Sequence, residues 1–190
     1  MAFVNVVPPE EATGRMKQQY EFIRESMGID EYIKLAQSWS TAPEVAEAWM
    51  NSQSVARRAS GLDDIQYELM ECHIMYRMRS RYVLVNHAVL LARLTGWDHD
   101  ELKGNVQDPE HSRLREKEKV LLNFAGKVAT RSDRIAQQDV DAVKRQGFDD
   151  AQVVALVFLI GSLVLNGILP NALGPELDEF SREYRDLADW

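Results

Sequence analysis

The sequence predicts an all-α fold, and three observations support this prediction. Apolar residues recur at intervals of three and four positions along most of the chain, as on one face of a helix. Glycine and proline stand where such helices should begin or end; Gly28, for example, follows the first periodic segment. No stretch is typical of a β-strand, because the β-branched pairs Val6-Val7 and Val153-Val154 are too short or lie in helical context.

The amino-terminal part is predicted to contain three helices before a central pair. An extended segment ends in Pro8-Pro9, and the run from Thr41 to Glu44 predicts a capping box with a proline in the first helical turn. The predicted helices cover about residues 10–27, 31–38 and 41–58, and Ser60-Gly61 ends the last of them.

The central pair occupies the chain up to about Thr95, and its key stretch runs from Glu68 to His87. Glu68 lies at the edge of an apolar helical stripe, and His87 lies in the middle of another, where titratable groups are uncommon unless they are partnered. Ser80 fits the N-cap of the second helix. Two helices joined by a short turn should pack antiparallel, which would bring Glu68 and His87 to within about 4 Å.

The carboxy-terminal half is predicted to be helical as well. Gly96-Trp97-Asp98 ends the central pair and starts a short helix. Further helices are expected over about residues 114–130, 138–146 and 150–169, with a break near Pro170. With 190 residues the chain is most simply one domain, with a core over about 10–174 and an acidic, partly helical tail over 175–190.

The spacing around the central turn resembles the carboxymuconolactone decarboxylase and alkylhydroperoxidase D superfamily, whose peroxidase members carry Glu-x11-Cys-x2-Cys-x3-His. Glu68 and His87 are in register with that motif, whereas Ser80 and Val83 stand at the two cysteine positions. The run from Ser80 to His87 resembles the cysteine-less members instead, which tend to have Tyr five residues before the His, here Tyr82. A weaker resemblance extends from about residue 5 to 178, including VVPPEEATG and NGILPNALGPELD. The resemblance implies an alkylhydroperoxidase D-like bundle around an antiparallel helix pair, assembled as a homo-oligomer, commonly a trimer or hexamer.

Three functional hypotheses follow from these residues. The first is a cysteine-independent acid–base enzyme, resembling the decarboxylases, that acts on a small carboxylated substrate: His87 would transfer a proton and Glu68 would orient it. Tyr82 would roof the pocket and donate a hydrogen bond to a substrate oxygen. Ser80, at the place of the peroxidatic thiol, and Arg81, in the basic turn, would bind substrate. The second hypothesis is an alkylhydroperoxidase-type family member that has lost its dithiol, and the third is a non-catalytic oligomeric scaffold.

Each candidate also has a purely structural interpretation. His87 could be a hydrogen-bonded core histidine, Glu68 a salt-bridged helix residue and Tyr82 a core aromatic. Cys72, on an apolar face beside a glutamate, is predicted to be a buried and inert thiol. No metal is expected, because Glu68, Cys72, His73 and His87 lack standard ligand spacing, and the absence of a nucleotide or phosphate motif gives no reason to expect a cofactor.

Composition limits the partners and the compartment. A formal net charge of −8 disfavours nucleic-acid binding. The single cysteine excludes an intrachain disulfide, and the first residues show no secretory pattern, so a cytoplasmic location is expected. The apolar run Val153 to Leu169 is shorter than the roughly 20 residues of a membrane span and contains Ser162 and Asn166. It is predicted to be a buried helix at the domain centre or at a subunit interface, not a membrane span.

Overall fold

The computed structural model describes residues 2–190, and this part of the chain is all-α, with no strand, as the sequence predicts. Short 3-10 helices lie at Pro9–Glu11, Pro109–His111 and Ser132–Arg134, and a longer one spans Glu179–Ala188. The α-helices are α1 (Gly14–Met27), α2 (Lys34–Ser38), α3 (Pro43–Ser60), α4 (Asp64–Met78), α5 (Arg81–Thr95), α6 (His99–Gln107), α7 (Glu116–Arg131), α8 (Gln137–Arg145) and α9 (Asp150–Leu173).

The predicted central pair is confirmed as α4 and α5, which pack closely and are joined by only two residues. Asp63 and Gln66 form a reciprocal capping box at the start of α4. Arg79, the one non-glycine residue in 2–190 with positive φ, ends α4 in the left-handed conformation at φ 55°. This conformation reverses the chain within two residues, so that α5 returns along α4.

Several predicted helix ends differ from the structure. The N-cap of α3 is Ala42, which has no side-chain oxygen, so the predicted capping box at Thr41 is wrong and only the proline marks this start. Ser80 does occupy the N-cap position of α5, but its hydroxyl makes no capping hydrogen bond. The predicted break near Pro170 is also wrong: α9 continues through it and ends at Gly174, where φ is 65°. A proline this near the end of a helix removes one backbone hydrogen bond, but the helix can still continue past it.

The core is built around α4, which is buried without interruption from Gln66 to Met75. It packs against α5, α6, α7 and α9, while α3 lies along α9. The acidic tail belongs to this core, because its 3-10 helix packs on α5 and buries Asp178, Ser181 and Leu187. The expected boundary near residue 174 therefore does not separate the tail from the core.

The helix α9 is only half covered by the rest of the chain. By length and composition it could cross a membrane, with a mean hydropathy of 2.4 in its most apolar window, half of which is buried. Its other side exposes a continuous apolar stripe of residues spaced by three, four or seven positions, which face the same way on a helix. The members of this α9 stripe are Val154, Val157, Phe158, Leu165 and Ile168.

Candidate functional site

A cavity of about 440 Å³ lies where α1, α3, α4 and α5 meet, beside the α2 segment. Its walls are largely apolar and aromatic, and include Phe22, Trp39, Trp49, Met50 and Leu90. The size and lining are those of a small-molecule pocket.

Glu68 and His87 meet on the wall of this cavity, as the sequence predicts. Nδ1 of His87 donates to Oε2 of Glu68 at 2.7 Å. The contact follows from the antiparallel pair, which brings the middle of α4 level with the middle of α5. His87 keeps 17% of its side chain exposed, and within residues 2–190 its Nε2 makes no hydrogen bond. The ring is thus fixed through Nδ1, and His87 lines the cavity.

A second carboxylate, which was not predicted from the sequence, completes the cluster. Oε2 of Glu71 lies 3.3 Å from Nδ1 of His87, and the Glu71 side chain is fully buried. Its other oxygen accepts a hydrogen bond of 2.7 Å from Nδ2 of Asn166 on α9. The available signal was its position three residues after Glu68, which places both carboxylates on neighbouring parts of one helix face.

The charges of this cluster favour a protonated imidazole. Burial alone would lower the pKa of His87, but the charges of Glu71 and Glu68, with the hydrogen bond that His87 donates to Glu68, outweigh it and raise the pKa to about 9. Burial raises the pKa of Glu71 above its usual value. His87 is therefore an imidazolium at neutral pH and can donate a proton from Nε2.

The same three side chains are near enough to share a cation. Glu68, Glu71 and His87 bring their ligand atoms within 4.8 Å of one another. With its pKa raised to about 9, a protonated His87 can supply the positive charge beside the two carboxyl groups.

Tyr82 lines the cavity, but its hydroxyl is used inside the protein. It donates to Oδ2 of Asp178 and accepts a 2.9 Å hydrogen bond from the backbone N of Leu35. Asp178 also accepts from Nδ2 of Asn86 and from the backbone N of Lys34, each at 2.9 Å. This Asp178 cluster joins the tail, α2 and α5 behind the cavity wall. The ring of Tyr82 therefore forms part of the wall, as predicted, while its hydroxyl is not turned toward a substrate.

Ser80 and Arg81, the predicted substrate-binding residues, are not on the cavity wall. Ser80 is fully buried, and its hydroxyl has no hydrogen-bond partner in the described part of the chain. Arg81 turns to the tail, with Nη2 at 3.4 Å from the carbonyl O of Ala188 and 3.5 Å from Oδ1 of Asp189. The reason is that the carboxy-terminal 3-10 helix packs on α5 and occupies the space beside its first turn.

Arg57 on α3 lines the cavity instead. Its guanidinium lies over the ring of Tyr67, with 3.8 Å from Cζ to the ring centroid. Nη2 also contacts Oδ1 of the exposed Asp64 at 2.8 Å. The sequence offered no signal for this residue, because α3 approaches α4 and α5 only through the tertiary fold.

Cys72 and His73 lie away from this chemistry. Cys72 is fully buried, as predicted, and burial together with the charges of Glu68 and Glu71 raises the pKa of its thiol well above the usual value. His73 Nδ1 donates to the carbonyl O of Val106 at 2.8 Å, and burial lowers its pKa. The thiol is neutral and inaccessible, so it lacks the properties of a reactive cysteine.

No protein-family sequence model matches the chain. No curated protein matches it in sequence either. Solved structures do match it. An uncharacterized peroxidase-related protein from Ralstonia eutropha JMP134, described as an alkylhydroperoxidase AhpD core, has a TM-score of 0.81 at 15% identity, covering 100% of this chain and 97% of that one.

Two further structures agree with this match. A peroxidase-related protein from Silicibacter sp. TM1040 has a TM-score of 0.75 at 16% identity, covering 95% of each chain. A variant of the debrominase Bmp8, in complex with 2,3,4-tribromopyrrole, has a TM-score of 0.75 at 13% identity, covering 98% of this chain and 97% of that one. The predicted alkylhydroperoxidase D-like helical fold is thus confirmed.

Proposed function

We propose that this chain is a cysteine-independent acid–base enzyme of the decarboxylase or lyase type, acting on a small carboxylated substrate. The observation that carries the proposal is the imidazole of His87, which Glu68 holds at 2.7 Å through Nδ1 while the ring lines the cavity. General acid–base catalysis needs such a group at a fixed orientation with a pKa not far from the working pH. An open cavity at His87 also favours an enzyme over a scaffold, in which this position would be packed.

The proposed step is a protonation coupled to loss of carbon dioxide. As the bond between carbon and the carboxylate breaks, its electron pair stays on the carbon and carbon dioxide leaves. The Nε2–H of the His87 imidazolium gives its proton to that carbon, and water then restores the proton to Nε2. Glu68 keeps the ring in place by accepting the hydrogen bond from Nδ1. The step needs neither a thiol nor an oxidant.

The test is proton transfer to or from carbon, measured in D2O. The protein is incubated with a panel of β,γ-unsaturated acids and lactone carboxylates, and deuterium incorporation and product formation are followed by NMR. We expect exchange or turnover for at least one compound, its loss in His87→Gln, and its retention in Cys72→Ser. Equal rates in wild type and His87→Gln would contradict the proposal. No exchange and no binding across the panel would favour the oligomeric scaffold.

A further inference from the structure

The geometry points to Arg57 as the anchor for the substrate carboxylate, and to a planar, aromatic or conjugated monocarboxylate as the ligand of this cavity. The inference rests on the proposed function in that it concerns the same cavity, but it is a statement about binding. It can therefore be tested without any turnover.

The first argument is that the guanidinium of Arg57 has N–H donors that its one acidic partner does not occupy. Within residues 2–190, two arginines line the cavity, Arg15 and Arg57. Arg15 is held by two glutamates, with 3.4 Å from Nη1 to Glu44 and 3.0 Å from Nε to Glu47. Arg57 has a single acidic partner in the same range, Asp64, so N–H groups of its guanidinium remain available to a ligand. A planar guanidinium with N–H groups left over is the side chain best suited to bind a second carboxylate in a bidentate manner.

The second argument is that Arg57 is already held in place on the wall. Its guanidinium lies 3.8 Å from the centre of the Tyr67 ring, and Tyr67 itself is buried. Stacking of this kind fixes the plane of the guanidinium and lowers the entropy lost when a ligand binds. Nε2 of Gln53 donates to the hydroxyl of Tyr67 at 3.3 Å, which steadies the ring underneath.

The third argument is the position relative to the reacting group. Arg57 and His87 line the same cavity. A small acid bound at Arg57 can thus present a neighbouring carbon to the imidazole. The glutamates on the wall do not repel it strongly, because Glu68 is paired with His87 and Glu47 with Arg15.

The fourth argument concerns the body of the ligand. Trp39 and Trp49 meet edge to face on the wall, with ring centroids 5.5 Å apart and planes at 64°. Phe22, Tyr67 and Tyr82 are further aromatic side chains of the wall, which also contains aliphatic and polar residues. Flat aromatic walls favour flat ligands, which stack or pack edge to face with little loss of conformational freedom.

The experiment compares matched ligands and matched arginines by isothermal titration calorimetry. Benzoate is the probe, benzamide is its uncharged isostere, and cyclohexanecarboxylate is the non-planar acid. We expect wild type to bind benzoate at least tenfold more tightly than either of the others. Arg57→Met should lower benzoate affinity at least tenfold and leave benzamide affinity unchanged, which also shows that the cavity is still folded.

A control variant separates Arg57 from other cations. Arg81→Met, in the basic turn and off the cavity wall, should leave benzoate affinity within twofold of wild type. Unchanged benzoate binding in Arg57→Met, or equal affinity for benzoate and benzamide in wild type, would overturn the inference. Equal affinity of wild type for benzoate and cyclohexanecarboxylate would overturn the inference that the ligand is planar. Normal benzoate binding by His87→Gln, together with absent proton transfer in wild type, would reject the proposed function and leave this inference standing.

Discussion

His87 lies between two carboxylates, and its charge links the stability of the fold to pH. Its pKa is about 9 in the folded protein, against 6.5 for an unperturbed histidine such as that of the unfolded chain. The folded state therefore holds the proton more tightly, and the resulting stabilisation is complete below pH 6.5. It is lost as the pH rises from 6.5 through 9, and a difference of this size corresponds to about 3 kcal/mol. The raised pKa of Glu71 acts in the same direction, because it too is a group that the folded state protonates more readily.

We expect the free energy of unfolding in urea to fall by about 3 kcal/mol between pH 6.5 and pH 9. His87→Gln should remove most of this pH dependence, because no titrating imidazole remains between the carboxylates. His111→Gln is the matched control: it also pairs with an aspartate, Asp108, but its side chain is 85% exposed. The control should behave as wild type. A wild-type stability that is flat over this range would show that His87 is neutral in the folded protein.

Cys72 gives a second prediction at the scale of one residue. A dithiol peroxidase needs one thiolate to attack the peroxide and a second thiol to resolve the product. Ser80 and Val83 stand at those positions, and Cys72 is a buried, neutral thiol without a partner cysteine. We expect no turnover of alkyl hydroperoxides with thiol reductants, and labelling of Cys72 by a thiol reagent only after unfolding. Peroxide turnover well above that of Cys72→Ser would contradict this prediction.

Among the elements, the pair α4–α5 was the most predictable. Its apolar periodicity, the short basic turn and the left-handed glycine after α5 are all local features, so residue spacing was enough to bring Glu68 to His87. Glu71 was harder to predict from the sequence. Residues all round the middle of α4 are buried, so the helical position of a polar residue there does not set it apart from its neighbours. Arg57 and Asn166 could not be predicted from the sequence. They lie on α3 and α9, and only tertiary packing brings these helices to the site.

The acidic tail shows why composition alone misplaced an element. A stretch rich in charged residues was expected outside the core, because charged side chains are seldom buried. Asp178 is buried nevertheless, since it accepts hydrogen bonds from Lys34 N, Tyr82 and Asn86. Those partners are distant in sequence, and so the local pattern carries no sign of them.

The Asp178 cluster yields the prediction for this element. Asp178→Ala should lower the free energy of unfolding by about 3 kcal/mol, because three donors, two of them buried, lose their acceptor. Urea unfolding measures this, and Asp178→Asn should be milder because an amide oxygen still accepts. Asp186→Ala is the control, in the 3-10 helix that follows Asp178: Asp186 contacts Nε2 of His99 at 2.8 Å but is half exposed. A loss in Asp178→Ala no larger than in Asp186→Ala would mean that the tail does not depend on this cluster.

At the scale of the whole molecule, the unexplained feature is the α9 stripe. Residues 154, 157, 158, 165 and 168 form one apolar face, and Phe158 is 69% exposed. A shallow groove between Trp49 on α3 and Phe158 on α9 continues this face. Soluble monomers seldom expose a continuous apolar surface of this kind, which usually marks an interface. We propose that a second copy of the chain covers it in a homo-oligomer, a trimer or a hexamer.

We expect light scattering at micromolar concentration to show an oligomer for wild type. Phe158→Asp should shift the mass toward the monomer, because a carboxylate at the centre of the α9 stripe would have to be buried without a partner. Gln138→Asp, which adds the same charge on the exposed side of α8, should leave the mass unchanged. A monomeric wild type would contradict the proposal. Wild-type protein that stays in solution only with detergent would point to a membrane contact for α9, whereas a Phe158→Asp variant that is still oligomeric would place the interface on another face of the molecule.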